Sequence, residues 1–176
     1  MLKYWKPDTK VVFAEFPGEV SLAINITNCP GNCTNCSEPY LRQNIGEDLT
    51  FEEVDRLIDA NKGITLFGLM GGDCSHSDVA DIARYVHSTY PNLKVGMYSG
   101  CDWLDPSLML ELDCYKIGRY ISDDSLPNWG PLPLPMSNQL YFEKRCIGND
   151  TLWENTTYKF RQKPINNYSM QIVQGE

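Results

Sequence analysis

The sequence predicts an α/β fold with a mostly parallel sheet, arranged as a partial (β/α) barrel and followed by an irregular C-terminal extension. The first observation is that apolar runs typical of buried strands alternate with amphipathic helical stretches along the middle of the chain. The second is length, because a complete (β/α)8 barrel needs about 250 residues and this chain has 176. The third is the proline-rich segment LPNWGPLPLPM, which cannot form a regular element. We therefore expect one domain over residues 1–141 and an extension over residues 142–176 that packs on it.

Two strands are predicted before the first helix. VVFAEF from Val11 and VSLAINI from Val20 are rich in β-branched residues, and the turn sequence PGE separates them. The second strand leads directly into a loop that contains three cysteines. We therefore expect this loop to lie at the carboxyl end of a buried strand.

Three helices are predicted after the cysteine loop. LTFEEVDRLIDANKG begins with a capping box formed by Thr50 and Glu53, presents one apolar face and ends at Gly63. DVADIARYVHSTY also has one apolar face, and Ser77 is its expected N-cap. DPSLMLEL from Asp105 is a short helix with proline in its first turn.

The strands between and after these helices are continuous apolar runs. ITLFGLM from Ile64, KVGMYSG from Lys94 and CYKIGRYI from Cys114 are typical of strands that are buried on both faces. The resulting order of strands and helices predicts a parallel sheet with right-handed crossovers. NQLYFEKR and TLWENTTYKF are a candidate late strand pair.

Composition excludes several classes of function. The net charge of −8 and the lack of any Lys/Arg block argue against a nucleic-acid partner. No apolar run is long enough to span a bilayer, and the N-terminus lacks the apolar segment of a signal peptide. Because the seven cysteines are an odd number without a secretory signal, free thiols in a reducing, cytoplasmic compartment are expected.

The segment NITNCPGNCTNCSEPYLR, which begins at Asn25, indicates a metal site. Cys29, Cys33 and Cys36 fall within eight residues of a turn-forming loop, and thiolates at this density normally hold a metal. A structural zinc site would need a fourth ligand. The candidates for that ligand are Cys74, His76, Cys101, Cys114 and Cys146. An iron–sulfur cubane held by only three thiolates would instead keep one iron open to a ligand.

The Cys-x3-Cys-x2-Cys spacing after the first strand of a βα series resembles the cluster loop of the radical S-adenosylmethionine superfamily. The next strand ends in MGGD, Met70 to Asp73, and the following one in YSG, Tyr98 to Gly100, where that superfamily carries cofactor-binding motifs. YKIGRYI and MSNQLY then follow in the order seen in one subgroup, the activating proteins of anaerobic ribonucleoside-triphosphate reductase. The resemblance covers roughly Val20 to Tyr141.

The resemblance implies a radical SAM type of partial barrel and assigns roles to particular residues. Cys29, Cys33 and Cys36 would hold a 4Fe-4S cluster whose open iron binds S-adenosyl-L-methionine. Gly71 and Gly72 would receive the methionine amino group, and Asp73 would offset its charge. The residues implied in cofactor binding are Asn35, Cys36, Ser37, Gly71, Gly72, Asp73, Ser99 (near the ribose) and Lys116 (a contact to the ligand carboxylate or a structural ion pair). No catalytic side chain beyond the cluster and the cofactor is implied.

The activity implied by the resemblance is an oxidoreductase reaction. The reduced cluster would cleave S-adenosylmethionine to a 5′-deoxyadenosyl radical, which would generate a glycyl radical on anaerobic ribonucleotide reductase. The implied partners are the glycyl radical loop of the reductase large subunit and a flavodoxin-like or other one-electron donor. Two alternatives stay open: a radical enzyme for a small molecule, such as a 7-carboxy-7-deazaguanine synthase-like protein, and a non-enzymatic zinc or iron–sulfur module.

Overall fold

The computed structural model of the protein describes residues 1–34, 36–120, 139–147 and 150–160. These residues form two sheets and three α-helices. The strands are β1 Lys3–Tyr4, β2 Lys10–Val12, β3 Ser21–Asn25, β4 Glu47–Asp48, β5 Leu66–Met70, β6 Lys94–Tyr98, β7 Cys114–Ile117, β8 Leu140–Ile147 and β9 Asp150–Asn155. The helices are α1 Phe51–Ala60, α2 His76–Thr89 and α3 Pro106–Glu111.

The main sheet has seven strands in the order β2-β3-β5-β6-β7-β8-β9. Its four central strands, β3, β5, β6 and β7, are parallel, whereas β2, β8 and β9 add to the edges in antiparallel pairings. The predicted alternation of strands and helices from β3 to β7 is confirmed, and so is the mostly parallel centre of the sheet. Across the described part of the chain, the sheet does not close into a barrel.

The helices pack on one face of this sheet because each has one apolar side. In α1 the buried positions are Val54, Leu57 and Ile58, and they join the inward-facing residues of β3, β5, β6 and β7 in the larger core. Such a two-layer arrangement is how amphipathic helices bury their apolar stripes. No helix in the described segments is both long enough and apolar enough to cross a membrane.

The predicted N-cap residue is correct for α1 and wrong for α2. Thr50 caps α1 as predicted, since its side chain accepts a hydrogen bond from the backbone N–H of Glu53. The prediction that Ser77 caps the second helix is wrong. Ser75 is the N-cap, and its hydroxyl accepts from the backbone N–H of Asp78. The helix begins two residues earlier than predicted. The hydroxyl of Ser75 reaches the N–H of Asp78, three residues on, which has no partner within the helix, and this is the usual geometry of an N-cap.

The N-terminal strand is shorter than VVFAEF predicts. β2 ends at Val12, and the chain then turns so that Phe16 lies on the face of the sheet opposite the helices. Gly68 and Gly96, which face each other on β5 and β6, make room for this ring. A Cβ atom on Gly96 would lie 2.4 Å from Cε1 of Phe16, and one on Gly68 would lie 2.6 Å from Cε2. The two glycines therefore form a seat for a buried aromatic side chain.

The late strand pair is confirmed. β8 pairs with β7 and β9 pairs with β8, and the register of the second pairing runs from Phe142↔Asn155 to Ile147↔Asp150. The extension is therefore regular where it continues the sheet, unlike the irregular segment that the sequence predicts. The division of the chain at residue 142 stays a prediction. The proline-rich segment lies outside the described residues.

Candidate iron–sulfur and cofactor site

The loop that carries the three cysteines, here called the cluster loop (residues 29–36), follows β3 at the carboxyl edge of the sheet. Asn28, just before it, has a φ of 61°, a left-handed conformation that asparagine tolerates better than most residues. Its backbone N–H donates to the carbonyl of Gln43 at 3.0 Å, and that of Cys29 donates to the carbonyl of Leu41 at 2.9 Å. These two bonds fix where the loop leaves the sheet.

Three thiols of the cluster loop are free and half-buried. Gly31 lies between two of them: a Cβ atom on it would be 3.3 Å from Sγ of Cys29 and 3.9 Å from Sγ of Cys33. The backbone N–H of Gly31 also donates to Sγ of Cys29 at 3.4 Å. Arg42 donates from Nη2 to the carbonyl of Cys33 at 2.7 Å and holds the middle of the loop. A side chain at position 31 would fill the space that the thiols share.

A cavity of about 390 Å³ opens beside the cluster loop, on the sheet face opposite α1 and α2. Its floor is a row of side chains at the carboxyl ends of the four parallel strands. Asn25 pairs in register with Met70, Met70 with Tyr98, and Tyr98 with Lys116. Cys36 lines the same cavity. One thiol of the cluster loop and one face of every parallel strand therefore border a single space, where ligands of α/β sheets usually bind.

Lys116 is the most unusual residue in this cavity, because it is a buried cation. Its exposure is 7%, and Nζ lies 3.7 Å from the ring centre of Tyr98. Burial lowers the pKa of Lys116 to about 8, and the charge of Glu15 opposes this shift only in part. Among the residues that the structure describes, no carboxylate forms an ion pair with Lys116. Its ammonium is thus available to an anionic ligand in the cavity.

Gly71 and Gly72 both adopt positive φ angles, 114° and 126°, which favour glycine. A Cβ atom on Gly72 would lie 2.6 Å from Cγ2 of Val79 and 3.3 Å from Cε of Met97, both in the core. At this position a side chain would therefore disturb core contacts rather than only a ligand contact. The backbone N–H of Gly71 is already bonded to the carbonyl of Tyr98 at 3.1 Å.

Asp73 and Ser99 contact each other. The hydroxyl of Ser99 donates to Oδ1 of Asp73 at 2.7 Å, and the backbone N–H of Gly100 donates to Oδ2 at 2.7 Å. Ser99 also accepts from the backbone N–H of Cys101 at 3.0 Å. The two residues thus join the loops after β5 and β6, and Ser99 is buried at 5% exposure.

The structure divides the residues predicted for cofactor binding into two groups. Cys36, Ser37 and Lys116 line the cavity. Gly71, Gly72, Asp73 and Ser99 lie in the loops that follow β5 and β6. Asn35 lies outside the described residues. The assignment of these residues to a cofactor stays a prediction.

The sequence analysis did not predict two features of the site. Asn25 lies on the cavity floor, and its position in the last residue of β3 was the available signal. The seat for Phe16 lies next to the cavity, since the ring of Phe16 is 5.0 Å from that of Tyr98, which lines the cavity. The alignment of Gly68 with Gly96 depends on strand register, which a single sequence does not display.

Three cysteines on one loop, at the carboxyl edge of a parallel sheet and beside a polar cavity, define the class as a metal-binding α/β protein with an iron–sulfur type of ligand set. The comparison with known families identifies the family: the chain belongs to the 4Fe-4S single cluster domain family, whose model matches residues 17–120. The match covers the cluster loop and all four parallel strands. The comparisons with curated proteins and with solved structures found no match.

The cluster loop fits the group that the family implies. Its donors are three thiols, which are the ligands that iron–sulfur clusters take, and Gly31 leaves the space between two of them free of side-chain atoms. Burial raises the pKa of the Cys29 thiol, and the nearby charge of Asp73 adds to this effect. A bound cation reverses that preference, because a metal keeps a coordinating thiol deprotonated.

Proposed function

We propose that this 4Fe-4S protein is a radical SAM activating enzyme that generates a glycyl radical on anaerobic ribonucleotide reductase. Cys29, Cys33 and Cys36 would hold the cluster, and S-adenosyl-L-methionine would bind in the adjacent cavity. When bound, the cluster and the cofactor supply one-electron reductive cleavage to a 5′-deoxyadenosyl radical, the step that the protein itself cannot provide.

The observation that carries this proposal is the buried ammonium of Lys116 in the cavity that Cys36 also lines. A cation at 7% exposure is costly unless it meets an anion. The carboxylate of a methionine moiety is such an anion, and it would lie within the same space as the open iron of a three-thiolate cluster. Lys116 is thus the candidate to orient the cofactor.

The other cavity residues suit the remaining polar groups of an amino-acid ligand. The side-chain amide of Asn25 offers both a donor and an acceptor, and the hydroxyl of Ser37 offers the same pair of functions. Met70, which pairs in register with Asn25, supplies an apolar surface on the cavity floor. The role of the chain is to position the ligand and limit water near it.

The experiment that tests this proposal is anaerobic reconstitution with iron and sulfide, followed by reduction in the presence of S-adenosylmethionine and a candidate reductase. We expect 5′-deoxyadenosine and methionine as products, and a doublet from a glycyl radical in the electron paramagnetic resonance spectrum. Cys33→Ala should abolish both signals, whereas the matched variant Cys146→Ala, at an exposed cysteine on β8, should keep them.

The outcomes separate the alternatives. Cofactor cleavage without any radical on candidate reductases, together with consumption of a small molecule, would replace the activating function by a metabolite reaction. A reconstituted cluster that never cleaves S-adenosylmethionine would leave an iron–sulfur binding module.

A further inference from the structure

A second group of potential metal ligands lies at the carboxyl ends of β5 and β6, on the helix side of the sheet. It consists of Asp73, His76 and Cys101, whose ligand atoms all lie within 4.8 Å of one another. Asp73 belongs to the loop after β5, His76 to the first turn of α2 and Cys101 to the loop after β6. None of these three residues is a cysteine of the cluster loop.

The orientation of His76 is fixed by a carboxylate. Its Nδ1 lies 2.6 Å from Oδ2 of Asp105, the N-cap residue of α3. A neutral imidazole that donates from Nδ1 presents the lone pair of Nε2 on its other side. That atom is buried and has no hydrogen-bond partner among the residues that the structure describes. A carboxylate that orients a histidine in this way is the usual outer partner of a metal ligand.

Nε2 of His76 faces Oδ1 of Asp73 at 3.5 Å. Two atoms that both carry lone pairs repel each other at this separation unless a cation lies between them. Asp73 cannot easily turn away, since Ser99 and the backbone of Gly100 hold its two oxygens at 2.7 Å each. Each carboxylate oxygen keeps a further lone pair beyond these bonds.

The hydroxyl of Tyr115 is a second buried polar atom without a hydrogen-bond partner in the described segments. Tyr115 is fully buried, and it is close enough to Ser99, Asp73 and Cys101 for these groups to influence its phenol. The unpartnered Nε2 of His76, which is one of the three ligand atoms, and the unpartnered hydroxyl of Tyr115 indicate that a polar species belongs among these groups.

We propose that Asp73, His76 and Cys101 form a zinc site, with Asp105 as the residue that orients His76. Carboxylate, imidazole and thiolate are all ligands that zinc accepts, at about 2.0–2.3 Å. Two such ligands on a tetrahedral ion lie roughly 3.3–3.8 Å apart, which matches the 3.5 Å between His76 and Asp73. Three protein ligands leave one coordination position, which water would fill near the hydroxyl of Tyr115.

The site would connect three loops at the ligand-binding edge of the sheet. The ion would join the loop after β5, the start of α2 and the loop after β6, and through Asp105 also the start of α3. It would thereby fix the loop that contains Gly71 and Gly72. This inference uses none of the cluster ligands, and it gives Asp73 a role other than the cofactor contact that the resemblance implies.

The test measures zinc and iron together in the full-length protein after reconstitution and removal of loosely bound metal. We expect one zinc ion per chain beside about four irons. His76→Gln and Cys101→Ser should lose the zinc and retain the iron, whereas the matched control Cys146→Ser should retain both. Asp105→Asn should weaken zinc binding by about 10–100-fold, the effect expected of an outer partner.

A cobalt titration keeps the proposal testable if a variant folds poorly. In the full chain with serine at the three cluster-loop cysteines, cobalt should give a sulfur-to-metal charge-transfer band that Cys101→Ser removes and Cys146→Ser does not. The proposal is overturned if zinc is absent from the wild type, or if the band persists without Cys101. In that case Asp73 and Asp105 are neighbours of His76 without a shared metal.

Discussion

Replacing Lys116 with methionine should make the cofactor-free protein more stable at neutral pH while removing the proposed anchor of the cofactor. Methionine has a similar length and fills the same space, but it carries no charge. Lys116 is buried at 7% exposure, and its only close partner among the described residues is the ring of Tyr98. The substitution therefore removes the cost of a buried charge and retains most of the side chain's apolar contacts.

The magnitude follows from the pKa of Lys116, which burial lowers from 10.5 to about 8. Each pKa unit corresponds to about 1.4 kcal/mol, so burying the ammonium costs about 3 kcal/mol below pH 8. The ring of Tyr98, 3.7 Å from Nζ, offsets about 1–2 kcal/mol of that cost. We expect Lys116→Met to raise the free energy of unfolding by about 1–2 kcal/mol at pH 7.

The pH dependence has a definite sign. Between about pH 8 and pH 10.5 the unfolded wild type holds a proton on Lys116 that the folded protein has lost. Its stability therefore rises with pH over that window. The advantage of the variant should shrink across this range and vanish near pH 10.5.

Anaerobic urea unfolding at pH 7 and at pH 10 measures this difference directly. Lys62→Met is the matched control, since Lys62 is 74% exposed and pairs with Asp59 on the surface. It should change stability by less than about 1 kcal/mol at either pH. If Lys116→Met loses stability equally at both pH values, Lys116 is not the uncompensated buried charge that the proposed cofactor site requires.

Three further predictions concern the cluster, the sheet and the acid limit of stability. Alanine at any cysteine of the cluster loop should abolish iron retention after anaerobic reconstitution, whereas Cys146→Ala should retain it; equal retention would remove the loop as the ligand source. Gly96→Val should lower the free energy of unfolding by at least about 1–3 kcal/mol, because the valine overpacks against Phe16. The double variant with Phe16→Ala should lose less stability than the two single variants combined, which a double-mutant cycle of denaturation experiments would measure. Arg56 beside Glu53 lowers the pKa of that carboxyl to about 2. Glu53→Gln should therefore reduce the loss of stability as pH falls from about 4.5 to 2. An unchanged dependence of the free energy of unfolding on pH in this range would contradict this.

The order of elements was predictable because local sequence patterns determine it. The apolar runs that became β5, β6 and β7 are continuous, as strands buried on both faces require. The capping residue Thr50 precedes an amphipathic helix, so the start of α1 was also visible. The cysteine spacing identified the cluster loop without any knowledge of the fold.

The composition of the site was less predictable, because it depends on register. The resemblance implied a ligand contact or an ion pair for Lys116, but only the pairing of Tyr98 with Lys116 shows that it lies on the cavity floor. Phe16 belonged to a predicted strand, but it leaves the sheet and packs on Gly68 and Gly96. The sequence named His76 as a candidate zinc ligand, but it could not show the contact with Asp105, which lies 29 residues away in the chain.

The open edge of the sheet bears on which substrate suits the cavity. Lys10 and Val12 of β2 line the cavity, and among the described strands β2 pairs only with β3. A radical enzyme for a small molecule needs an enclosed site, because water and oxidants would quench the intermediate. A cavity bordered by a strand edge that no other described strand pairs with is better closed by a peptide segment, which can add to that edge through backbone hydrogen bonds. We therefore expect a protein loop, such as the glycyl radical loop of a reductase, rather than a metabolite to complete the site.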